Sequence, residues 1–331
     1  AISRAGIPLF SRNMPYSVEN LDLCYFTSVW HNTYMDLPYC TCKALVLKAL
    51  NAYAAFMKIP GTDINTQSIS TIIIETADSE IMPLFQALGE DDIREKSQGE
   101  LVTIADIAAE KELSRRFMDV LPGSAVLGEE SFADDPALME LAASQGPVWI
   151  IDPIDGTKNF SKGKSCFAVM VAFLNQGKVQ AGWIYDPIAR KTCYAVAGEG
   201  AWCDGKRLTV AGAGQAIDQL QGSLGNKMGK RLGEVIDAGE HPHPVQVQRY
   251  RCCGREYMDL ALGKLQFLQY AFHLKPWDHA PGVLIAREAG YFDGFFEDAS
   301  HYDATQGVPD GYLMIAPDKA AWQTLRNLLW D

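Results

Sequence analysis

Two aspartates, Asp152 and Asp155, close the apolar run Val148–Ile151 in "VWIIDPIDGTKNF". A strand buried on both faces delivers its last residues to a sheet edge, where backbone groups are free and ligands bind. Pro153 fixes φ and carries no N–H, so the chain turns stiffly there. Asp155 can then fold back beside Asp152, with the carbonyl of Ile154 between them. Three hard oxygen donors so close together suit Mg²⁺, which takes oxygen ligands in near-octahedral geometry and keeps several waters. Gly156 permits close backbone approach and Thr157 offers a hydroxyl. A helix beginning there would turn free N–H groups toward a phosphate. The same letters also spell an ordinary Asx–Pro–Gly turn after a strand.

Two more acidic features bear on that choice. "VLGEES" (Val126–Ser131) is a short apolar run ending in Glu129-Glu130, again acid at the end of an expected strand. "KPWDHAPG" (Lys275–Gly282) places Asp278 at an expected helix start, where it reads equally well as an N-cap. Its neighbour Trp277 reads as core. Asp106, in "VTIADIAAEKEL", taken alone is a solvated helix residue.

These residues need elements to hold them. The apolar spacing predicts helices over 70–88 and 103–120, the second with Ile104, Ile107, Ala108, Leu113, Phe117 and Leu121 as its apolar stripe. "VWIID" reads as a buried strand. Strands over 167–174, 179–185 and 191–197 follow, joined by the short turns "NQGK" and "DPIAR", which implies antiparallel pairing. Residues 198–208 read as a turn and strand, 278–289 as a helix with Asp278 as N-cap and Pro281 in its first turn, and 320–329 as a last helix. Helices interleaved with mainly antiparallel strands imply a mixed α/β (α+β) fold of stacked layers.

The totals narrow the partners. The chain has 331 residues, 48% of them hydrophobic, and a formal charge of −12. Such acidity disfavours nucleic-acid polymers and anionic membranes. It leaves room for a small phosphorylated molecule, because a bound cation reverses the local field. No apolar run is long enough to span a membrane, and no typical secretory signal stands out. Lys43–Phe56 reads as a core helix. Cys40-x-Cys42 and Cys252-Cys253 lack a matching second pair, so neither reads as a zinc site. Scattered cysteines fit reduced thiols and a cytoplasmic setting. No Gly-x-Gly-x-x-Gly follows a strand, which disfavours a dinucleotide enzyme. Residues 1–65 show no clear period and are expected to be an N-terminal extension of loose order, with 66–331 as the catalytic domain.

"WIIDPIDGTKNF" resembles the first signature of the inositol monophosphatase family, and "WDHAPGVLIAREAG" (Trp277–Gly290) resembles the second. "GEES" is similar to the family's glutamate motif, "LVTIADIAAEKEL" (Leu101–Leu113) to its threonine–aspartate helix start, and "GEGAWCDGKRL" (Gly198–Leu208) to its glycine-rich hairpin. All five stand in family order, over about residues 68–330. The resemblance implies a layered α/β/α/β/α sandwich of the inositol monophosphatase/fructose-1,6-bisphosphatase type, Mg²⁺-dependent, often lithium-sensitive, and commonly a homodimer. It implies that Glu129, Asp152, the Ile154 carbonyl, Asp155 and Asp278 hold two or three Mg²⁺. Glu129, Thr157 and Asp106 would be catalytic, with Thr157 orienting the attacking water. Gly156 and Thr157, with Asp155 and Asp278, would hold the substrate. The ions would acidify a water for in-line attack and stabilise the leaving alkoxide. Without metal, four crowded carboxylates repel, so the site should be loosely formed or proton-sharing.

The alcohol side departs from the pattern. Animal inositol monophosphatases carry a glutamate where this chain has Ala271. The family's Gly-Ser/Thr-Ala-Ala turn reads "RCCGREY" (Arg251–Tyr257), and the second signature ends Gly290-Tyr291 rather than Gly-Gly. Lys158 is similar to a lysine of relatives that dephosphorylate 3′-phosphoadenosine nucleotides. His273, Lys275 and Arg255 fall near the expected mouth and read equally as surface. The expected reaction is hydrolysis of inositol monophosphate. The alternatives are a 3′(2′),5′-bisphosphate nucleotidase, a histidinol- or sugar-phosphate phosphatase, and, from another class, a non-catalytic metal- and phosphate-binding regulator. The intact set of Glu129, Asp152, Asp155, Thr157 and Asp278 argues against the last. Residues 1–56 are expected to be dispensable, and a chain starting at Met57 that failed to fold would refute this.

Overall fold

The computed structural model describes residues 57–97 and 100–330. Helix α1 (Thr66–Thr76) is capped by Asn65, whose side chain accepts from the Ser68 amide at 2.8 Å. It continues through one wide turn, Ala77–Ile81, and one tight turn, Met82–Leu84. The helical run therefore starts earlier than the expected 70, at a cap the spacing did not reveal, and ends just past Pro83, short of 88. Strands β1 (Ile93–Ser97) and β2 (Glu100–Thr103) pair antiparallel. Helix α2 (Ile104–Val120) follows directly. Its buried stripe is Ala105, Ala109, Leu113 and Phe117, whereas Ile104 and Ile107 are 37% and 48% exposed. The first turn of the expected stripe was thus rotated, while Leu113 and Phe117 are buried as expected. Inward positions beside the true stripe belong to Asp106 and Glu110, which serve a polar site and leave the isoleucines outside.

The main sheet runs in sequence order. Strand β3 (Ala125–Gly128) leads into helix α3 (Glu129–Asp134). Strand β4 (Val148–Asp155) leads into the single turn α4 (Thr157–Phe160). Then come β5 (Ala168–Asn175), β6 (Lys178–Asp186), β7 (Lys191–Val196), β8 (Gly200–Cys203) and β9 (Lys206–Arg207). The seven strands lie side by side in that order, with β3 and β4 parallel and every later pair antiparallel. The short turns between β5, β6 and β7 enforce that pairing.

A second sheet forms from β10 (Gln221–Ser223), β11 (Val245–Val247), β12 (Phe267–Ala271), β13 (Phe292–Phe295) and β14 (Tyr312–Ala316), in the order β11-β10-β12-β14-β13. Helices α5 (Asn226–Asp237), α6 (Cys253–Ala261), α7 (Pro276–Ala289) and α8 (Lys319–Trp330) complete the chain. No strand was expected in this half. The strands are short, and β14 is buried on both faces, so it has no polar alternation to read.

Alternating side chains build the layers. In β5, Ala168, Met170, Ala172 and Leu174 join a core shared with α6, α7 and the second sheet. Val169, Val171 and Phe173 join one shared with α1 and α2. The far face of the second sheet packs on α5 and α8. The architecture is α/β/α/β/α, as the resemblance implied. Met57 and Ile59, within the stretch expected to be loosely ordered, belong to the second core. The Lys43–Phe56 helix and the Cys40/Cys42 pair fall outside the described residues. Among the described residues, no helix is long and apolar enough to cross a membrane.

Helix α7 is held by close approach. A Cβ on Gly182 of β6 would sit 2.8 Å from the Pro281 Cα, and one on Gly282 would sit 2.2 Å from the Tyr257 ring. The helix begins at Pro276 after Lys275, so Asp278 is its third residue rather than its N-cap, and Pro281 lies inside the helix rather than in its first turn. Gly182→Ala must push α7 off the sheet, since the obstacle is backbone. It is expected to cost about 1–3 kcal/mol and to weaken divalent-cation binding by displacing Asp278. A urea midpoint and a cation titration both equal to wild type would refute this.

Candidate active site

In a regular strand, residues three apart point to opposite faces. Asp152 and Asp155 escape this through a slip of register. Asp152 pairs with Met170 and Asp155 with Ala168, so β4 takes one more step than β5 between them. This bulge turns both carboxylates to the side of α6 and α7, where Met170 and Ala168 also point. Ile154 takes up the extra step and buries its side chain in the opposite core. Asp152 Oδ1 accepts from the Ile154 amide at 3.0 Å. Gly156 follows in the left-handed region at φ 90°, where a Cβ would meet the Cys166 carbonyl at 3.0 Å. Thr157 Oγ1 lies 3.0 Å from the Ile154 carbonyl and 3.1 Å from Asp106 Oδ1. Its one proton can go to either acceptor.

Asp106 is fully buried, not solvated. Its Oδ2 accepts from the Thr103 amide at 2.9 Å and the Thr103 hydroxyl at 2.5 Å, a reciprocal cap on α2. Burial pushes it up to about 6 against those bonds. Glu129 is the first residue of α3, at the end of β3. Its position depends on two groups the sequence reading missed. Glu110, one turn after Asp106, accepts from the Glu130 amide at 2.7 Å and the Ser131 amide at 2.8 Å, and also bonds the Ser131 hydroxyl. It thereby caps α3, whose own N-cap is Gly128 and has no side chain to give. Lys96 on β1 reaches Glu129 at 3.0 Å and Glu130 at 2.8 Å. The available signal was the spacing of Asp106 and Glu110. Nothing local in "REKSQ" marks Lys96.

Asp278 arrives on α7 and is in hydrogen-bonding contact with Asp152. Burial comes first, then the charge of Glu129 and of neighbouring aspartates, in holding Asp152 and Asp278 well above the usual carboxylate range. Asp155 is raised by burial, against four donors from Cys252, Cys253 and Gly254. One ammonium faces Glu129 and Glu130 together. Burial opposes its charge, but the two carboxylates outweigh that and keep Lys96 charged. Burial and the Glu129 charge push Glu130 up to about 8. The chain thus brings Glu129, Asp152, Ile154, Asp155, Asp278, Thr157 and Asp106 to one place. Arg255 does not join them, since it is bound to buried Asp186. Lys275 holds Glu100 at 3.0 Å, His273 lies exposed 3.6 Å from Asp310, and Lys158 is exposed. Trp277 is core, against Phe132.

An all-oxygen, charge-rich and proton-sharing donor set of this kind fits a hard divalent cation. The sign of its pH dependence follows. Folded values above the unfolded ones mean that these carboxyls favour folding while protonated. That contribution is lost as pH rises from about 4 through about 6 for Asp106 and about 8 for Glu130. Metal-free protein is expected to melt lower near pH 8 than near pH 5, and Mg²⁺ to raise the melting temperature more at the higher pH. Equal Mg²⁺ effects at both would place the ion elsewhere.

The proteins this chain matches make it a phosphoric monoester hydrolase. The chain belongs to the inositol monophosphatase family, whose model matches residues 63–326. Inositol monophosphatase 1 of Solanum lycopersicum is 31% identical over 200 residues, 59% of this chain and 72% of that one. A fructose-1,6-bisphosphatase/inositol-1-monophosphatase of Thermotoga maritima is 29% identical, over 61% of this chain and 75% of that one. A solved Ca-bound IMPase family protein of Staphylococcus aureus shares the fold with a TM-score of 0.65 at 21% identity, covering 80% of this chain and 94% of that one.

Proposed function

We propose that the chain hydrolyses small phosphate monoesters with Mg²⁺, inositol monophosphate first. The observation that carries this is the convergence of Glu129, Asp152, Asp155 and Asp278 with, among the described residues, only one ammonium, Lys96, bonded into the group. Two or three Mg²⁺ held by these carboxylates and the Ile154 carbonyl would supply Lewis acidity and a water acidic enough to attack phosphorus near neutral pH. The chain's own groups do the rest. The Thr157 hydroxyl orients the attacking water, and Asp106, 3.1 Å away, holds or takes its proton. Backbone amides at Gly156 and Thr157 hold the phosphate. A lithium-sensitive cytoplasmic homodimer completes the reading.

A second reading has its own support. Ala271 offers no carboxylate to sugar hydroxyls, and the adjoining Phe272 exposes half its surface. This favours a leaving group other than inositol, as in a 3′(2′),5′-bisphosphate nucleotidase or a histidinol- or sugar-phosphate phosphatase. Phosphate release should be followed with Mg²⁺, with and without lithium, on inositol 1-phosphate, adenosine 3′,5′-bisphosphate, histidinol phosphate and fructose 1,6-bisphosphate. Turnover of the first above the others supports the leading reading, and no turnover of any ester overturns the proposal. Asp278→Asn is expected to abolish metal-dependent turnover while far-UV circular dichroism stays native. A wild-type rate would remove Asp278 from the site.

A further inference from the structure

Asp155 is wrapped by the segment Cys252–Gly254. The Gly254 amide at 2.6 Å and the Cys252 thiol at 2.9 Å donate to Oδ2. The Cys253 amide and thiol, both at 3.3 Å, donate to Oδ1. The Cys253 sulfur, an Asp155 oxygen and an Asp278 oxygen all lie within 4.8 Å of one another. Cys252-Cys253 has no matching second pair in the sequence, but the folded chain gives Cys253 carboxylate partners instead.

Each of the three sits at the end of an element. Asp155 closes β4, Cys253 opens the nine-residue α6, and Asp278 stands in the first turn of α7. Burial and the neighbouring carboxylates push the Cys253 thiol up, so it carries its proton until a cation displaces it. Around a tetrahedral ion with ligands at 2.0–2.3 Å, sulfur and oxygen stand about 3.5 Å apart. The Asp155–Cys253 pair stands close to that separation, at 3.3 Å. Cys253 is half-buried and reachable, whereas Cys252 is buried and turned toward the Asp155 carbonyl at 3.4 Å and toward Cys166.

We propose that Asp155, Cys253 and Asp278 form a mixed oxygen–sulfur site for a thiophilic divalent cation of the Zn²⁺ or Co²⁺ class. This rests on reading Asp155 and Asp278 as metal ligands. Because the two carboxylates are shared, a thiophilic ion and a hard ion exclude each other there. Thiolate sulfur selects softer ions, and Mg²⁺ gains nothing from it. On binding, the Cys253 S–H bond breaks, its proton passes to solvent, and the sulfur lone pair forms the bond to the ion. No oxidation state changes.

The test is a Co²⁺ titration of the full chain, followed by the near-ultraviolet charge-transfer band that only a thiolate–Co²⁺ bond gives. The band is expected to saturate at one ion per chain. It should be lost in Cys253→Ser, kept in Cys252→Ser, and weakened by excess Mg²⁺ through competition. Far-UV circular dichroism confirms that each variant is folded. No sulfur band in wild type, or a band unchanged in Cys253→Ser, overturns the proposal. The phosphatase reading is scored separately by phosphate release with Mg²⁺. A sulfur band without turnover upholds this site alone, and turnover without a sulfur band removes it alone.

Discussion

Repulsion among buried carboxylates is the constraint the rest of this molecule answers. Asp152 is almost wholly removed from water and still faces Glu129, Asp155, Asp278 and Asp106. Charges so placed are costly unless paired or protonated. The surroundings answer in kind. Asp155 accepts four donors, Glu129 shares Lys96 with Glu130, Asp106 is tied into a helix cap, and Asp152 and Asp278 are in hydrogen-bonding contact. None of these devices removes the negative charge altogether. They hold it in place.

Holding it requires that several element ends meet. Strand β4 supplies Asp152 and Asp155, α3 supplies Glu129, and α7 supplies Asp278. Two groups outside the acidic set fix where those ends stop. Glu110 determines where α3 begins, and the absence of a side chain at Gly182 determines how near α7 can lie. A buried, charged centre thus depends on apolar packing some distance away, because cores of native density do not yield to small shifts.

Much of this was legible in the sequence for a physical reason. "WIIDPIDGTKNF" is a local pattern in which strand, turn and acid lie together. The antiparallel run from β5 to β7 was equally local, fixed by short turns. What acted across the chain was not legible. Asp278 read as a cap because its role depends on Asp152, far upstream. Ile104 and Ile107 read as core because Asp106 read as solvated. Lys96 and Cys253 carry no signature of their own, since each acquires its partner only on folding. The second sheet was missed because its short strands carried no alternating pattern.

The bulge in β4 makes the centre a question of parity. Asp152 lies on the side of the strand that faces α6 and α7, and an unbroken pleat would send Asp155 to the side of α1 and α2. The extra step carried by Ile154 corrects the count. Register in this stretch is therefore chemical information. Straightening the strand here at the same count would keep every acidic group yet deal the pair to opposite layers. Substitutions at Pro153 or Ile154 that preserve the bulge leave the pair together. A chain of this kind can vary its letters there more freely than its register.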